Sequence, residues 1–532
     1  MPSGLSYLYR GAASYARMAG GIRSYVRTPA AKDPDALIKW QLDHREDVFL
    51  DMARRVVFED SANPYLEMFR MAGCTYGDLA GVVKSKGLEA ALAQIHGEGV
   101  YLGNDELKGT TPIVRGGREI KASSRSFRNP LANATIRGVS SGSRGKPFES
   151  YFSPPFYVHA EALNAIVNRE FALQDHAHII LRSTLPSLVG LMDCLAGVRQ
   201  GDRMERWYAF GAGGHYSTVT SLMVLAARFS GCWIPFPEYL RDNDFSAAAE
   251  RVSRLCAAGI PCVVRGPASP SVRLAAAAID RGLDIRGTLF LMSGEALTDA
   301  KRAVVESAGG RIFARYGMSE FRVIGHGCRQ MAEGNCVHPY TDSLAVISHR
   351  RQAPLSDVDV HSLLFTTLLS SAPNFLINFE PNDHGIVEPA SCDCEFSRIG
   401  FRWRIRDIFS FSKLSGQGMT LIGTELVRLL EEVLPARIGG RPGDYQLIER
   451  EGTAQTSIEL RVSPRVTGWS PDGIRECFLD EIRRIYGGLL ASRVWRHAEA
   501  VRVVMAEPIV TATGKIHPLQ LLGIEKAPAK RT

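Results

Sequence analysis

The sequence predicts an α/β protein, with a large N-terminal part built on parallel βαβ units and a small C-terminal α+β part. Three observations carry this. Short apolar segments alternate with amphipathic ones from about residue 206 to residue 317. At 532 residues the chain is too long for one ordinary core, so two or three domains are expected. After residue 400 the alternation gives way to paired strands and isolated helices.

Residues 1 to about 130 form a helical lead-in with loops. It opens on "MPSGLSYLYRGAASYARMAGGIRSYVRTP", a basic stretch rich in Tyr, Ala and Gly. That stretch lacks the compact apolar run and cleavage site of a secretory signal. A weakly amphipathic leading helix is the simplest reading, with surface association with a membrane or partner as the other.

The alternating region then reads in order. "RWYAFGAG" is a strand, "TVTSLMVLAARFSG" a helix, "CWIPF" a strand, "FSAAAERVSRLCAAG" a helix and "IPCVVRG" a strand. "SVRLAAAAIDRG" is a helix, "GTLFLMSG" a strand, "TDAKRAVVESAGG" a helix and "RIFARYG" a strand. Parallel sheets of this kind bind ligands in the loops beyond the carboxyl ends of their strands. "GAGGHY", "SGEAL" and "YGMSE" fall there.

A linker is expected between Trp403 and Phe411, which divides the chain into 1–405 and 406–532. Beyond it, "TELVRLLEEVL" is a helix and "YQLIEREGTAQTSIELRV" a strand pair. Ser470-Pro471 opens another helix, with a serine cap and proline in the first turn. "AVRVVMA" is read as the last strand.

Composition narrows the function classes. Hydrophobic residues make up 45% and charged residues 22%, as in a soluble globular enzyme. A formal charge of +7 suits anionic small substrates but is far from the dense basic face of a nucleic-acid binder, so no nucleic-acid partner is expected. No apolar run reaches the ~18 residues of a membrane span. Cys74, Cys194, Cys232, Cys256, Cys262 and Cys477 are scattered singly and read as buried thiols rather than a disulfide framework. The cytoplasm is the expected location.

"SSGSRGKP", Ser140 to Pro147, is a Ser/Gly loop with two cations. It is not a P-loop, because Ser140 stands at the first glycine position and Pro147 replaces the magnesium-binding hydroxyl. Its backbone amides, its hydroxyls and Lys146 or Arg144 can still wrap a polyphosphate. The loop resembles the phosphate-binding loop of the adenylate-forming superfamily, the acyl-CoA synthetases and their relatives. In the same order along the chain, "RYGMSE" (Arg315 to Glu320) resembles that family's Tyr-Gly-x-Ser/Thr-Glu motif. "PND" at 381–383 takes the place of its Thr-Gly-Asp, and "TATGKI" (Thr511 to Ile516) resembles its C-terminal Gly-Lys motif. Within the superfamily the phenylacetate–CoA ligase branch matches best, through "FLINFEPND", "CDC" and the adenine-flanking "SGEAL". The resemblance runs from about Ser140 to the end of the chain.

This resemblance implies a large AMP-binding adenylation domain, 1–405, and a small mobile C-terminal domain, 406–532, that carries the catalytic lysine. It implies an ATP-dependent carboxylate–thiol ligase that forms an acyl-adenylate from an aryl or other organic acid. The acyl group then passes to coenzyme A; a carrier-protein thiol or an amine is the alternative acceptor. A catalytically silent acyl- or nucleotide-binding paralogue is the alternative from another class. By the same token Ser140, Ser141, Gly142, Ser143, Gly145 and Lys146 hold phosphates, while Gly294, Glu295, Tyr316 and Gly317 bind the nucleotide. Ser319 offers its hydroxyl to the α-phosphate, and Asp383 and Arg404 hold the ribose.

The chemistry agrees with these roles. Attack of a carboxylate on an α-phosphate builds charge on phosphate oxygens, so fixed cations and amides are needed where it develops. Glu320 suits Mg2+, which prefers carboxylate and phosphate oxygens. Lys515 is the choice for main adenylation catalyst, and His215 faces the expected acid, with Tyr216 and Phe210 as weaker pocket residues. The sequence departs from the family at Arg144, which replaces Thr, at Glu380, where related ligases carry Arg, and at Pro381-Asn382, which replace Thr-Gly. "WRIRD" lacks the hinge glycine. Finally, Cys328, His338, Cys392 and Cys394 form a candidate structural Zn2+ site, with Cys336 as a substitute ligand.

Overall fold

In the computed structural model the described residues are all except 1–3, 133–135, 140–148, 211–214, 241–243, 332–334, 353–358, 411–412, 417–418, 452–455, 486–491, 494, 497–499, 512 and 523–532. Ser140, Ser141, Gly142, Ser143, Gly145 and Lys146 therefore lie outside them.

The alternating region forms the parallel half of a large sheet. Its strands run side by side in the order Pro237–Tyr239, Arg203–Ala209, Ala177–Leu181, Cys262–Pro267, Leu289–Ser293 and Arg311–Tyr316. Ala177–Leu181 and Cys262–Pro267 are buried at every position, as parallel strands covered on both faces must be. Successive side chains feed opposite layers. Ile179 and Leu181 join the helices Ser246–Ala257 and Ala268–Asp280 in one core, while Ile180 and Trp207 pack with Leu191 and Leu195 of Val189–Arg199 in another.

Beyond Tyr316 the sheet turns antiparallel, through Gly325–His326, Cys336–Pro339, Trp403–Ser410, Asp383–Pro389 and Asp359–Thr367. The lead-in helices pack their own cluster, from Phe49 to Phe127, onto Phe375 and Phe379.

A second sheet, in the order Val501–Met505, Thr456–Val462, Tyr445–Glu451, Leu519–Leu522, carries the C-terminal core. Leu426, Leu429, Leu434, Phe478 and Trp495 pack against it. Ser470 caps the helix Pro471–Ile482 as expected, its hydroxyl accepting from the Gly473 amide at 3.1 Å.

Three sequence expectations are corrected. "CWIPF" is not a strand. The Cys232 amide goes back to Ala227 and the Ile234 amide to Cys232, and pairing starts only at Pro237. Trp403–Phe411 is not an open linker, because Trp403–Ser410 is a strand paired on both sides in the large sheet. "AVRVVMA" is not the last strand. Leu519–Leu522 follows it and adds in parallel to Tyr445–Glu451.

Candidate functional site

The motifs "SGEAL" and "YGMSE" follow the adjacent strands Leu289–Ser293 and Arg311–Tyr316, so both emerge at one end of the sheet. After Tyr316 the chain folds back on itself, with the Arg322 amide on the Met318 carbonyl at 2.7 Å. Gly317 is the residue that allows this turn. A Cβ there would sit 2.2 Å from the Arg322 carbonyl oxygen.

Tyr316 and Asp383 meet directly. The tyrosine hydroxyl donates to Asp383 Oδ2 at 2.6 Å, and the Ser410 hydroxyl donates to Oδ1. Asn382, before the aspartate, holds φ +66°. Asparagine visits that left-handed region more readily than most residues other than glycine. Glu380 is committed elsewhere, to Arg351 at 2.7 Å and to the Ser362 hydroxyl.

Glu320 is buried beside this pair. Burial pushes its carboxyl above the ordinary range and Asp383 adds to that, while Lys108 pulls it down. Lys108, from the lead-in, is thus a site neighbour that sequence reasoning missed; no motif surrounds it. Burial, Asp383 and Glu320 all push the Tyr316 phenol up, so it stays a proton donor.

Beneath the strand ends lies a buried charge cluster that the sequence did not announce. Arg182, Arg315 and Arg322 converge on Asp193 at 3.2, 3.4 and 3.5 Å. Burial opposes ionisation of Asp193, yet Arg315, Arg182 and Arg322 outweigh it and hold the carboxyl at about 2. Arg182 also donates to the Ser293 hydroxyl at 2.8 Å, which ties the cluster to "SGEAL".

Lys515 enters this site from the C-terminal part. Its loop is closed by Gly514 N–Thr511 O at 2.8 Å and Thr511 N–Lys515 O at 2.9 Å. A methyl group on Gly294 would lie 2.6 Å from Lys515 Nζ, and one on Gly514 only 2.2 Å from the Phe210 ring. Both glycines hold positive φ, +77° and +78°. Glu295 accepts hydrogen bonds from the Ser269 amide (3.3 Å) and hydroxyl, and the Ile516 amide reaches the same hydroxyl at 3.4 Å. Ser269 therefore couples the Gly294-Glu295 loop to the lysine loop, a role no motif signalled. Burial raises the Glu295 carboxyl, partly offset by Lys301 and Lys515.

His215 opens the helix His215–Phe229 and is exposed, its ring 3.9 Å from that of Tyr216. Ser319 is half-buried two residues beyond Gly317. Arg404 is not brought to Asp383. Strand register pairs Asp383 with Ser410 and Glu388 with Arg404, and Glu388 takes the Arg404 guanidinium at 2.5 Å. Ser410 is the residue of that strand that faces Asp383.

A cleft of about 700 Å3 opens beside Ser269 and Ile516, between the helix Ala268–Asp280 and the C-terminal part. Arg273, Arg281, Lys301, Arg441 and Arg465 line it, with Asp244, Asp280, Asp444 and Glu507.

Away from this centre, Cys328, His338, Cys392 and Cys394 place their ligand atoms within 4.8 Å of one another. His338 Nε2 lies 3.1 Å from Cys392 Sγ and 3.3 Å from Cys394 Sγ, and the sulfur separations are 3.7 and 3.8 Å. Four ligands around a tetrahedral zinc, with Zn–S near ~2.3 Å, would put sulfurs about 3.8 Å apart. His338 Nδ1 faces the carbonyls of Phe401 and Trp403 at 3.0 and 3.1 Å, which fixes the tautomer and leaves Nε2 to the metal. The residues fit the ion. Cys336 lies outside the group.

No protein-family model matches the sequence. No curated protein matches it either. Solved structures similar to it include 2-hydroxyisobutyryl-CoA ligase in complex with 2-HIB-AMP and CoA, at 14% identity and TM-score 0.44, covering 95% of this chain and 94% of that one. ATP-bound MatB from Rhodopseudomonas palustris is similar at 11% identity and TM-score 0.38, over 92% and 89%. McyG A-PCP complexed with phenylalanyl-adenylate is similar at 11% and 0.40, over 81% and 73%.

Proposed function

We propose that this protein is an ATP-dependent, AMP-forming ligase of the phenylacetate–CoA ligase type, which activates an organic acid as its adenylate and passes the acyl group to a thiol. The observation that carries the reading is the meeting of Lys515 with Gly294 beside the Tyr316–Asp383 pair and Glu320. Four sequence-distant segments thereby supply one anion-handling centre.

In this reading Asp383 accepts the ribose hydroxyls, in the place now taken by the Tyr316 and Ser410 hydroxyls. Lys515 neutralises the charge that develops as the acid oxygen attacks the α-phosphate and pyrophosphate leaves. Ser319 adds a hydroxyl to that phosphate, and the 140–147 loop holds the other two. Glu320 would hold Mg2+, which supplies further positive charge to the phosphate oxygens. His215 and Tyr216 border the acid. The cleft beside Ile516, lined by arginines and carboxylates together, has the volume to admit a thiol carrier such as coenzyme A. Zn2+ held by Cys328, His338, Cys392 and Cys394 would fasten the "CDC" loop to the sheet rather than take part in the chemistry.

The test is acid-dependent exchange of pyrophosphate into ATP across a panel of aryl and aliphatic acids, followed by coenzyme A consumption. Exchange without coenzyme A consumption would point to a carrier-protein or amine acceptor. Nucleotide binding with no exchange for any acid would favour the silent paralogue, a reading that the commitment of Arg404 to Glu388 supports.

A further inference from the structure

Among the described residues, one surface gathers several large exposed apolar side chains that the proposed ligase chemistry does not use. The leading helix Gly4–Arg27 packs against the helix His215–Phe229. Met18, Ile22 and Tyr25 of the first and Met223, Val224 and Ala227 of the second share one core cluster. The described residues on the other sides of these two adjacent helices are turned away from that core.

That face is anchored firmly. Arg199, paired with Glu161 at 2.6 Å, donates to the Val26 and Thr28 carbonyls at 2.8 and 2.9 Å, and the buried Tyr25 hydroxyl is bonded to the same glutamate. The leading helix is thus held at its C-terminal end by the body of the protein.

The apolar groups on the outside are large. Leu222 is 53% exposed, Phe229 89% and Trp233 71%, with Leu225 and Phe236 beside them. Leu222, Leu225 and Phe229 fall at i, i+3 and i+7, which is one stripe of the helix. Arg228 lies over the Trp233 and Phe236 rings, 5.4 and 4.4 Å from their centroids.

The charge is of one sign. Residues 4–27 contain four arginines and no Asp or Glu, and residues 215–237 contain Arg228 and no Asp or Glu. Arg17, Arg23 and Arg27 are exposed.

We propose that this two-helix face binds the surface of an anionic lipid bilayer. Leu, Phe and Trp flanked by arginine are the groups that settle at the boundary between acyl chains and headgroups, while the arginines meet lipid phosphates. A second copy of the chain fits less well. A twofold interface would set arginine against arginine across a surface with no carboxylate in either helix. The leading helix and the loop Ser230–Phe236 thereby acquire a peripheral membrane role, with Trp233 and Phe229 as the inserted anchors.

The test is flotation of the full-length protein with vesicles of phosphatidylcholine containing about a third phosphatidylglycerol, against phosphatidylcholine alone. Binding to the anionic vesicles and not the neutral ones, weakened by raised salt, is the expected result. Phe229→Ser with Trp233→Ser should lower the vesicle affinity roughly tenfold or more, since each removes a large exposed apolar anchor. Arg17→Gln, Arg23→Gln and Arg27→Gln together should abolish the preference for anionic vesicles. Both variants change exposed side chains, and unaltered thermal unfolding would verify their folding. The proposal is overturned by absence of binding at low salt, or by binding that the Phe229/Trp233 variant leaves unchanged. It is equally overturned if the face instead holds a second copy, seen as a dimer in light scattering that Trp233→Ser dissolves, or an acidic protein partner with no vesicle binding.

Discussion

Lys301 Nζ lies 2.8 Å from Glu431 Oε1, and both side chains are almost fully buried. The lysine stands on the helix Asp299–Ser307, which packs on the large sheet. The glutamate belongs to the helix of the C-terminal core, and its other oxygen accepts from the Thr298 hydroxyl at 2.7 Å. On the cleft's far wall Arg441 pairs with Asp280 at 2.7 Å. Burial opposes the Lys301 charge, but Glu431 and Glu295 hold the ammonium above its ordinary range. One buried cation thus connects the Gly294-Glu295 loop to the unit that carries Lys515.

Removing one partner of such a pair leaves a buried charge uncompensated. Lys301→Met should cost about 3–5 kcal/mol of stability and lower acid-dependent pyrophosphate exchange. Lys301→Met combined with Glu431→Leu should recover most of the stability, because an apolar pair of similar volume is often as stable as the ion pair. Chemical unfolding of the single and double variants checks this, and a double variant no more stable than the single one would refute it.

Lys515→Ala should reduce adenylate formation by roughly 10²–10³-fold, the usual loss when one preorganised charge is removed from a developing oxyanion. Thiol transfer from a preformed adenylate should continue. Single-turnover assays of the two half-reactions separate these outcomes, and equal loss in both would argue against a role confined to the first.

Glu320 carries a carboxyl raised by burial, so the folded protein binds that proton more tightly than the unfolded chain does. Stability should fall as pH rises from the ordinary carboxylate value through the raised one, with the full penalty above it. Glu320→Gln removes this dependence. The variant should be more stable than the parent at neutral pH, with the difference vanishing in acid, while losing magnesium-dependent activity. Thermal unfolding as a function of pH is the measurement, and a Gln variant destabilised at neutral pH would contradict the assignment.

Cys392→Ser or Cys394→Ser should abolish a stoichiometric zinc signal in elemental analysis and lower the unfolding temperature. Chelation of the parent protein should do the same. Acid-dependent exchange should survive at reduced temperature, since the four ligands surround the loop between Pro389 and Glu395 and not the Tyr316–Asp383 pair. Metal-free protein that is as stable as the parent would remove the structural role.

Much of this protein was legible in one dimension because the signals are local. The parallel strands from Arg203 to Tyr316 announce themselves through apolar runs and flanking helical periodicity, and Ser470 is read as a cap from its own neighbours. The order of "YGMSE", "PND" and "TGK" was enough to nominate Tyr316, Asp383 and Lys515. What lay beyond reach depended on register and through-space contact. The ladder between Asp383–Pro389 and Trp403–Ser410 decides that Ser410 and not Arg404 neighbours Asp383, because each step along a strand moves about 3.3 Å and the two positions differ by several steps. Lys108, Ser269, Arg182 and Lys301 carry no motif, and only packing brings them to the site. Sequence nominated the four candidate zinc ligands, but their meeting required two segments some fifty residues apart to fold onto one loop. Residue types and their spacing thus determined the chemistry on offer, and the folded sheet decided which of those groups act together, since Coulomb and hydrogen-bond energies depend on distance in space and not on distance along the chain.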